Sequence, residues 1–344
     1  MRIDAYTHFI PETFFSKLVE SGYPDIGKRM RNIPSIYELD MRKRIVEGFS
    51  DYAQILSYPM PPIELLAKGA EIDDYAKAIN DGFADICTKN AKHFPGWVAE
   101  APIGGPDAGV KECERAIKNG ALGVQIHTNI AGKPLDAPEF APFWETMEKL
   151  DKPVWLHPAR DASTPDYQSE TKSKYEIWWT FGWSYETAAA MARLVFSGLF
   201  DKLPNIKIIT HHLGGLVPYL EGKIAMGFRQ AGEGSVGRNP VAEEAGLARP
   251  AVEYFRMFYA DTAVNGIRGA FECGLEFFTA DRCLFASDAP FDPMGGAHLI
   301  REGLRMIDSA DLPPEAREKI YYGNATRLLA SRGRADSPRP KGPD

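Results

Sequence analysis

Cysteine is scarce in this chain of 344 residues: Cys87, Cys113, Cys273 and Cys283 are all there are, and none sits in a Cys-x-x-Cys pair. That pattern predicts reduced, mostly buried thiols in a cytosolic protein, with no motif around them to mark a catalytic cysteine. Positive charge is also short. Forty Lys and Arg face forty-seven Asp and Glu, a net charge of −7, and phosphate binding needs a basic face, so a nucleic-acid partner is not expected. No apolar run approaches the roughly 18 residues of a membrane span, and none is expected. Arg2-Ile3-Asp4 at the start does not read as a signal peptide.

What is present is ordinary for a globular protein, with 44% hydrophobic and 25% charged residues. The length suits one large domain or two medium ones, and α/β barrels of this size often stay single. Short apolar runs predict strands over Arg2–Tyr6, Tyr52–Ser57, Gly96–Ala101, Gly123–His127, Val154–His157, Ile206–Thr210, Phe258–Asp261 and Cys283–Ser287. Helical periodicity falls between them, over Ile72–Lys92, Asp107–Asn119, Phe140–Leu150, Tyr185–Phe200, Val217–Phe228, Gly266–Cys273 and Ala297–Met306. Strict alternation predicts a parallel sheet, and eight strands predict a single-domain (β/α)8 barrel over residues 1–330. An open doubly wound sheet would more often carry a glycine-rich turn after its first strand, and Tyr6-Thr7-His8-Phe9-Ile10-Pro11 has no glycine.

Three segments break the repeat: Pro11–Leu39, Arg160–Trp183 and the Gly- and Glu-rich Gln230–Arg249, which reads as a mobile loop. Long connections of this kind build the mouth of a barrel. Residues 331–344 hold almost no apolar side chain and are expected to be disordered.

Five of the seven histidines fall at or just past a predicted strand end: His8, His127, His157, His211 and His212, with Asp288 placed the same way after the eighth strand. In a barrel those ends converge on one face. Two imidazoles and a carboxylate with open positions describe a catalytic metal centre, so His8, His157 and Asp288 are the candidate ligands. His212 is the candidate acid/base, because an imidazole titrates near neutrality. Strand alternation lets only one of His211 and His212 point inward. His127 reads as a pocket residue rather than a ligand, and His93 and His298 as surface or cap residues. Each candidate also has a structural reading: His8 and Asp288 as turn residues, His157 as a strand end before Pro158.

The ordered motifs resemble the amidohydrolase superfamily, in the branch holding aminocarboxymuconate-semialdehyde decarboxylase and γ-resorcylate decarboxylase. The motifs are Ile3-Asp4-Ala5-Tyr6-Thr7-His8-Phe9, Leu156-His157-Pro158, His212-Leu213-Gly214-Gly215 with Pro218-Tyr219, Tyr259-Ala260-Asp261-Thr262, Ser287-Asp288-Ala289-Pro290-Phe291 and Gly323-Asn324-Ala325-Thr326-Arg327-Leu328-Leu329. The resemblance implies that His8, His157 and Asp288 hold one divalent metal, zinc or manganese, and that His212 is the catalytic acid/base beside Asp288. It implies a non-oxidative decarboxylase of an aromatic or muconate-like carboxylic acid, working as a homodimer or higher homo-oligomer.

The chain departs from that pattern at Tyr6, where relatives carry a His or Glu ligand. Tyr6 could ligate as a phenolate, could withdraw, or could mark a lost metal; withdrawal is favoured because three protein ligands suffice. A hydrolase of a lactone, amide or ester, a hydratase, and a metal-free binding barrel remain alternatives. Strand four ends Gln125-Ile126-His127-Thr128, with no lysine placed to bridge two metals, which favours a mononuclear centre. Substrate contacts are expected from Arg160, Arg44, His127, Trp178 and Phe291, with the aromatic run Trp178, Trp179, Phe181 and Trp183 as a wall for a flat ring or as core and interface packing.

Overall fold

The computed structural model describes residues 1–23, 30–225 and 246–330. The expected tail 331–344 and residues 230–245 of the expected mobile loop lie outside them.

Among the described residues eleven strands run in chain order: β1 (Arg2–His8), β2 (Tyr52–Ser57), β3 (Gly96–Trp97), β4 (Ala99–Glu100), β5 (Val124–His127), β6 (Asn129–Ile130), β7 (Lys133–Pro134), β8 (Val154–His157), β9 (Ile208–Thr210), β10 (Tyr259–Asp261) and β11 (Cys283–Leu284). β1, β2 and β3 form one parallel sheet, and β11, β10, β9, β8, β5 and β4 follow one another in a second. β3 and β4 are one extended run interrupted at Val98, whose N–H still bonds the Leu56 carbonyl at 2.8 Å. At the other edge the Ala5 N–H reaches the Phe285 carbonyl at 2.8 Å, linking β1 to the segment just past β11. The two sheets thus join into the expected ring of eight parallel runs. The hairpin β6–β7 is an addition that its short, part-exposed sequence did not signal.

Strand positions match the apolar runs because each run is buried on both faces, the requirement of a parallel sheet covered by helices. The ring is filled by Ala5, Tyr6, Ile55, Val98, Trp155, Ile209, Leu284 and Ala286. The closing motif forms the helix Asn324–Leu329, whose Ala325, Leu328 and Leu329 pack onto that same cluster. Asn324 anchors it, donating to the Ala280 and Cys283 carbonyls at 2.6 and 2.8 Å. A larger apolar layer outside the ring joins the strands to helices such as Ala70–Lys89 and Pro106–Lys118.

Helix edges move by a few residues from the expected ones. The long helix expected over Tyr185–Phe200 is two, Gly182–Phe196 and Leu199–Lys202, parted where Gly198 takes φ of +70°. No described helix is long and apolar enough to cross a membrane.

Candidate metal centre

β1 carries Tyr6 and His8 to the centre of the ring mouth, and the side chain of His8 is wholly buried. His157 ends β8, His211 and His212 follow β9, and Asp288 follows β11. The face that the alternation predicted is therefore formed. His8 Nε2 lies 3.1 Å from Asp288 Oδ1, and His211 Nε2 lies 3.5 Å from the same oxygen. His212 Nε2 stands 3.6 Å from Asp288 Oδ2. Candidate ligand atoms of His8, His157 and His211 all fall within 4.8 Å of one another.

Both histidines of the adjacent pair reach the site, contrary to the expectation from strand alternation. β9 ends at Thr210, and the backbone then turns through φ of +54° at His212 and +49° at Leu213. Alternation no longer applies there, and the two rings stack with centroids 3.5 Å apart. Asp261, at the end of β10, accepts from His211 Nδ1 at 2.6 Å and from the His212 N–H at 3.0 Å. Burial would lower the His211 value, but Asp261 and Asp288 overcome it and hold the ring up at about 9. His212 is held below its ordinary value by burial and by the His211 charge. Burial would raise the Asp288 carboxyl; the hydrogen bonds of His211 and His212 keep it well below the usual carboxylate range.

Tyr6 is hydrogen-bonded to Gln125 of β5. Gln125 Nε2 donates to the Tyr58 carbonyl at 2.8 Å, which fixes the amide so that Oε1 faces Tyr6. Tyr6 Oη donates to that oxygen at 2.6 Å. Burial, then the charges of Asp261, Glu100 and Asp288, push the phenol well above its ordinary value. The phenol's hydrogen bond thus goes to Gln125, the arrangement expected of a withdrawn Tyr6.

A cavity of about 770 Å³ opens over the centre, lined by His157, His212 and Asp288 on its floor. Its walls are Trp178, Trp179, Trp183 and Phe291, with Met30, Met60 and Leu299. The Phe291 ring lies 5.5 Å from His8 and the Trp183 ring 5.8 Å from His157, so the aromatic wall meets the centre directly. His298 also lines this cavity, although its place at the start of the helix Ala297–Ser309 suggested only a cap.

Two expected substrate contacts, Arg160 and Arg44, do not line this cavity. Arg160 turns away to Glu186 and the Pro165 carbonyl, at 3.1 and 3.2 Å, and lines neighbouring cavities instead. Arg44 is exposed on the helix Leu39–Glu47. Arg42 of the same helix is the buried cation near the centre: its Nη2 donates to the His8 and Ala289 carbonyls, both at 3.1 Å, and its Nε to Gln54 at 2.8 Å. His127 is buried beneath the cavity rather than in it, 3.7 Å from Glu100 and with its ring 5.4 Å from that of His157. Burial pushes it down to about 3. Asp261, Ser57, Gln125 and Arg42 escaped the sequence reading because none is a histidine or lies in a ligand-like spacing; only the Tyr259–Thr262 motif hinted at Asp261.

The residues fit a divalent metal. His8 Nε2 is buried and makes no hydrogen bond, although a carboxylate oxygen lies 3.1 Å away. Imidazole nitrogens with one carboxylate are the donor set of catalytic zinc and related centres.

Known proteins resemble this chain over most of its length. The chain is 29% identical over 318 residues to a γ-resorcylate decarboxylase of Polaromonas sp. strain JS666, covering 90% of this chain and 91% of that one. It is 26% identical over 347 residues to the 2-amino-3-carboxymuconate-6-semialdehyde decarboxylase of Dictyostelium discoideum, covering 96% and 91%. A crystal structure of a dihydroxybenzoic acid decarboxylase from Polaromonas sp. JS666, with bound manganese and the inhibitor 2-nitroresorcinol, superposes with a TM-score of 0.77 at 27% identity, over 95% of this chain and 96% of that one. The family model described as amidohydrolase matches residues 3–330, and on that match the chain belongs to the amidohydrolase family.

Proposed function

We propose that the protein is a metal-dependent, non-oxidative decarboxylase of an aromatic or muconate-like carboxylic acid. The observation that carries this reading is the shared cavity: an aromatic wall stands directly over His212, His157 and Asp288. The names of the two relatives and the manganese-bound neighbour support it. His8, His157 and Asp288 would hold one zinc or manganese ion. When bound, such an ion would supply Lewis-acid polarisation of the substrate.

The chain's own groups do the rest. Trp178, Trp183 and Phe291 flank a flat ring and exclude water from it. An anionic substrate beside His212 favours the protonated imidazole, which lines the cavity floor and can reach the reacting carbon. When the bond between ring carbon and carboxyl carbon breaks, its electron pair stays on the ring carbon. That carbon takes the His212 proton, carbon dioxide leaves, and His212 is reprotonated from water.

The test is carbon dioxide release from hydroxybenzoates and muconate-like acids. His212→Asn is expected to lower kcat by about 10²–10⁴-fold, the range for losing a positioned acid/base, while retaining its metal. Hydrolysis of an ester, lactone or amide without carbon dioxide release would overturn the reading.

A further inference from the structure

Three imidazoles of the centre share a feature that fixes how each ring is turned. His157 Nδ1 faces the Pro158 carbonyl at 2.8 Å, and His211 Nδ1 faces the Asp261 carboxylate at 2.6 Å. Both partners only accept, so both Nδ1 atoms carry the hydrogen. His8 Nδ1 faces Ser57 Oγ at 3.0 Å, and that hydroxyl already donates its proton to the Thr7 carbonyl at 3.1 Å. Ser57 must therefore accept from His8 as well. All three rings thus turn Nδ1 to a fixed partner and Nε2 to the centre.

Two of those Nε2 atoms meet at Asp288. Its Oδ1 lies 3.1 Å from His8 Nε2 and 3.5 Å from His211 Nε2. Ligands about 2.0–2.1 Å from a tetrahedral zinc stand roughly 3.3 Å apart, so the spacing is that of neighbours around one ion. A histidine whose far nitrogen donates to a carboxylate is also the usual arrangement behind a metal ligand, since the carboxylate fixes the tautomer and sharpens the donor. His211 is wholly buried and does not line the cavity, whereas His212 does. Of the pair, His211 is therefore placed to face an ion and His212 to face substrate.

We propose that His211 is a protein ligand of the metal, making the set His8, His157, His211 and Asp288, with Tyr6 outside it. This rests on the metal centre of the preceding reading. Asp261 is then a positioning residue for both members of the pair: it orients the ligand ring of His211 and holds the backbone N–H of His212.

The experiment is X-ray absorption spectroscopy of the zinc-loaded full chain, with zinc affinity measured by chelator competition. The native protein is expected to show three imidazoles per zinc, and His211→Ala two. His211→Ala should weaken zinc binding by at least about 100-fold, the upper end of what loss of an outer partner costs, while Tyr6→Phe should stay within about threefold of the native protein. The native imidazole count needs no variant, so the result stands even where His211→Ala fails to fold. Two imidazoles in the native protein, or a Tyr6→Phe loss equal to that of His211→Ala, would overturn the assignment and leave the metal centre intact. A native protein that takes up no zinc or manganese would overturn both.

Discussion

One guanidinium joins the two ends of the metal centre. Arg42 Nη2 holds the carbonyls of His8 and of Ala289, the residue after Asp288. Arg42→Met would leave two buried carbonyls and Gln54 short of a donor. Each buried acceptor left without a partner costs about 1–3 kcal/mol, and urea unfolding is expected to show a loss of at least that size together with weaker zinc binding. An unchanged urea midpoint would show that Arg42 only fills space. The sequence reading chose Arg44, and the reason is geometric. Two residues along a helix turn by about 200°, so the choice between them is a choice of face, and face is set by packing that charge alone does not reveal. His127 carries a separate, pH-dependent effect. An unfolded histidine takes up a proton near 6.5, whereas the buried ring resists until about 3. Its contribution to stability is complete above 6.5 and is lost as pH falls. By pH 5 that loss is about 2 kcal/mol. Unfolding measured at pH 7 and pH 5 should show a drop smaller by about that amount in His127→Gln, and identical pH dependence in the two proteins would refute the assignment.

At the scale of the element, strand ends were the legible part of the site. Apolar runs locate β1, β8 and the segment after β11, and placing His8, His157 and Asp288 on one face follows from the barrel. The exit from β9 was not legible. There the rule of alternation stops at Thr210, and the positive φ values at His212, Leu213, Gly214 and Gly215 set the side-chain directions instead. Gly215 shows why that turn needs its glycines. It sits at φ +60°, ψ −116°, and a Cβ there would lie 2.4 Å from the Ser184 carbonyl oxygen. Gly215→Ala should therefore push the turn off the Gly182–Phe196 helix that carries Trp183. Expected are a loss of stability of about 1–3 kcal/mol from the strained backbone and a blue- or red-shifted tryptophan emission; native emission and stability together would contradict it.

For the molecule as a whole, fold class and barrel order could be read from periodicity, while the second ring of contacts around the site could not. Ser57, Gln125 and Asp261 are ordinary polar residues in sequence, and only closure of the ring makes them partners of His8, Tyr6 and His211. That closure also couples the metal to global stability. Zinc at about a thousand times its dissociation constant should add about 4 kcal/mol to the folded state, seen as a rise in Tm that a chelator reverses. A Tm indifferent to both zinc and chelator would separate the centre from the fold. The joint between Ala5 and Phe285 has one more consequence, in time rather than space. His8 is synthesised well before Asp288. Between the two events a nascent chain holds the early histidines of the centre with no Asp288 carboxylate to complete them. The full donor set of the centre therefore exists only once the ring's last strand has been added, so its assembly follows closure of the fold.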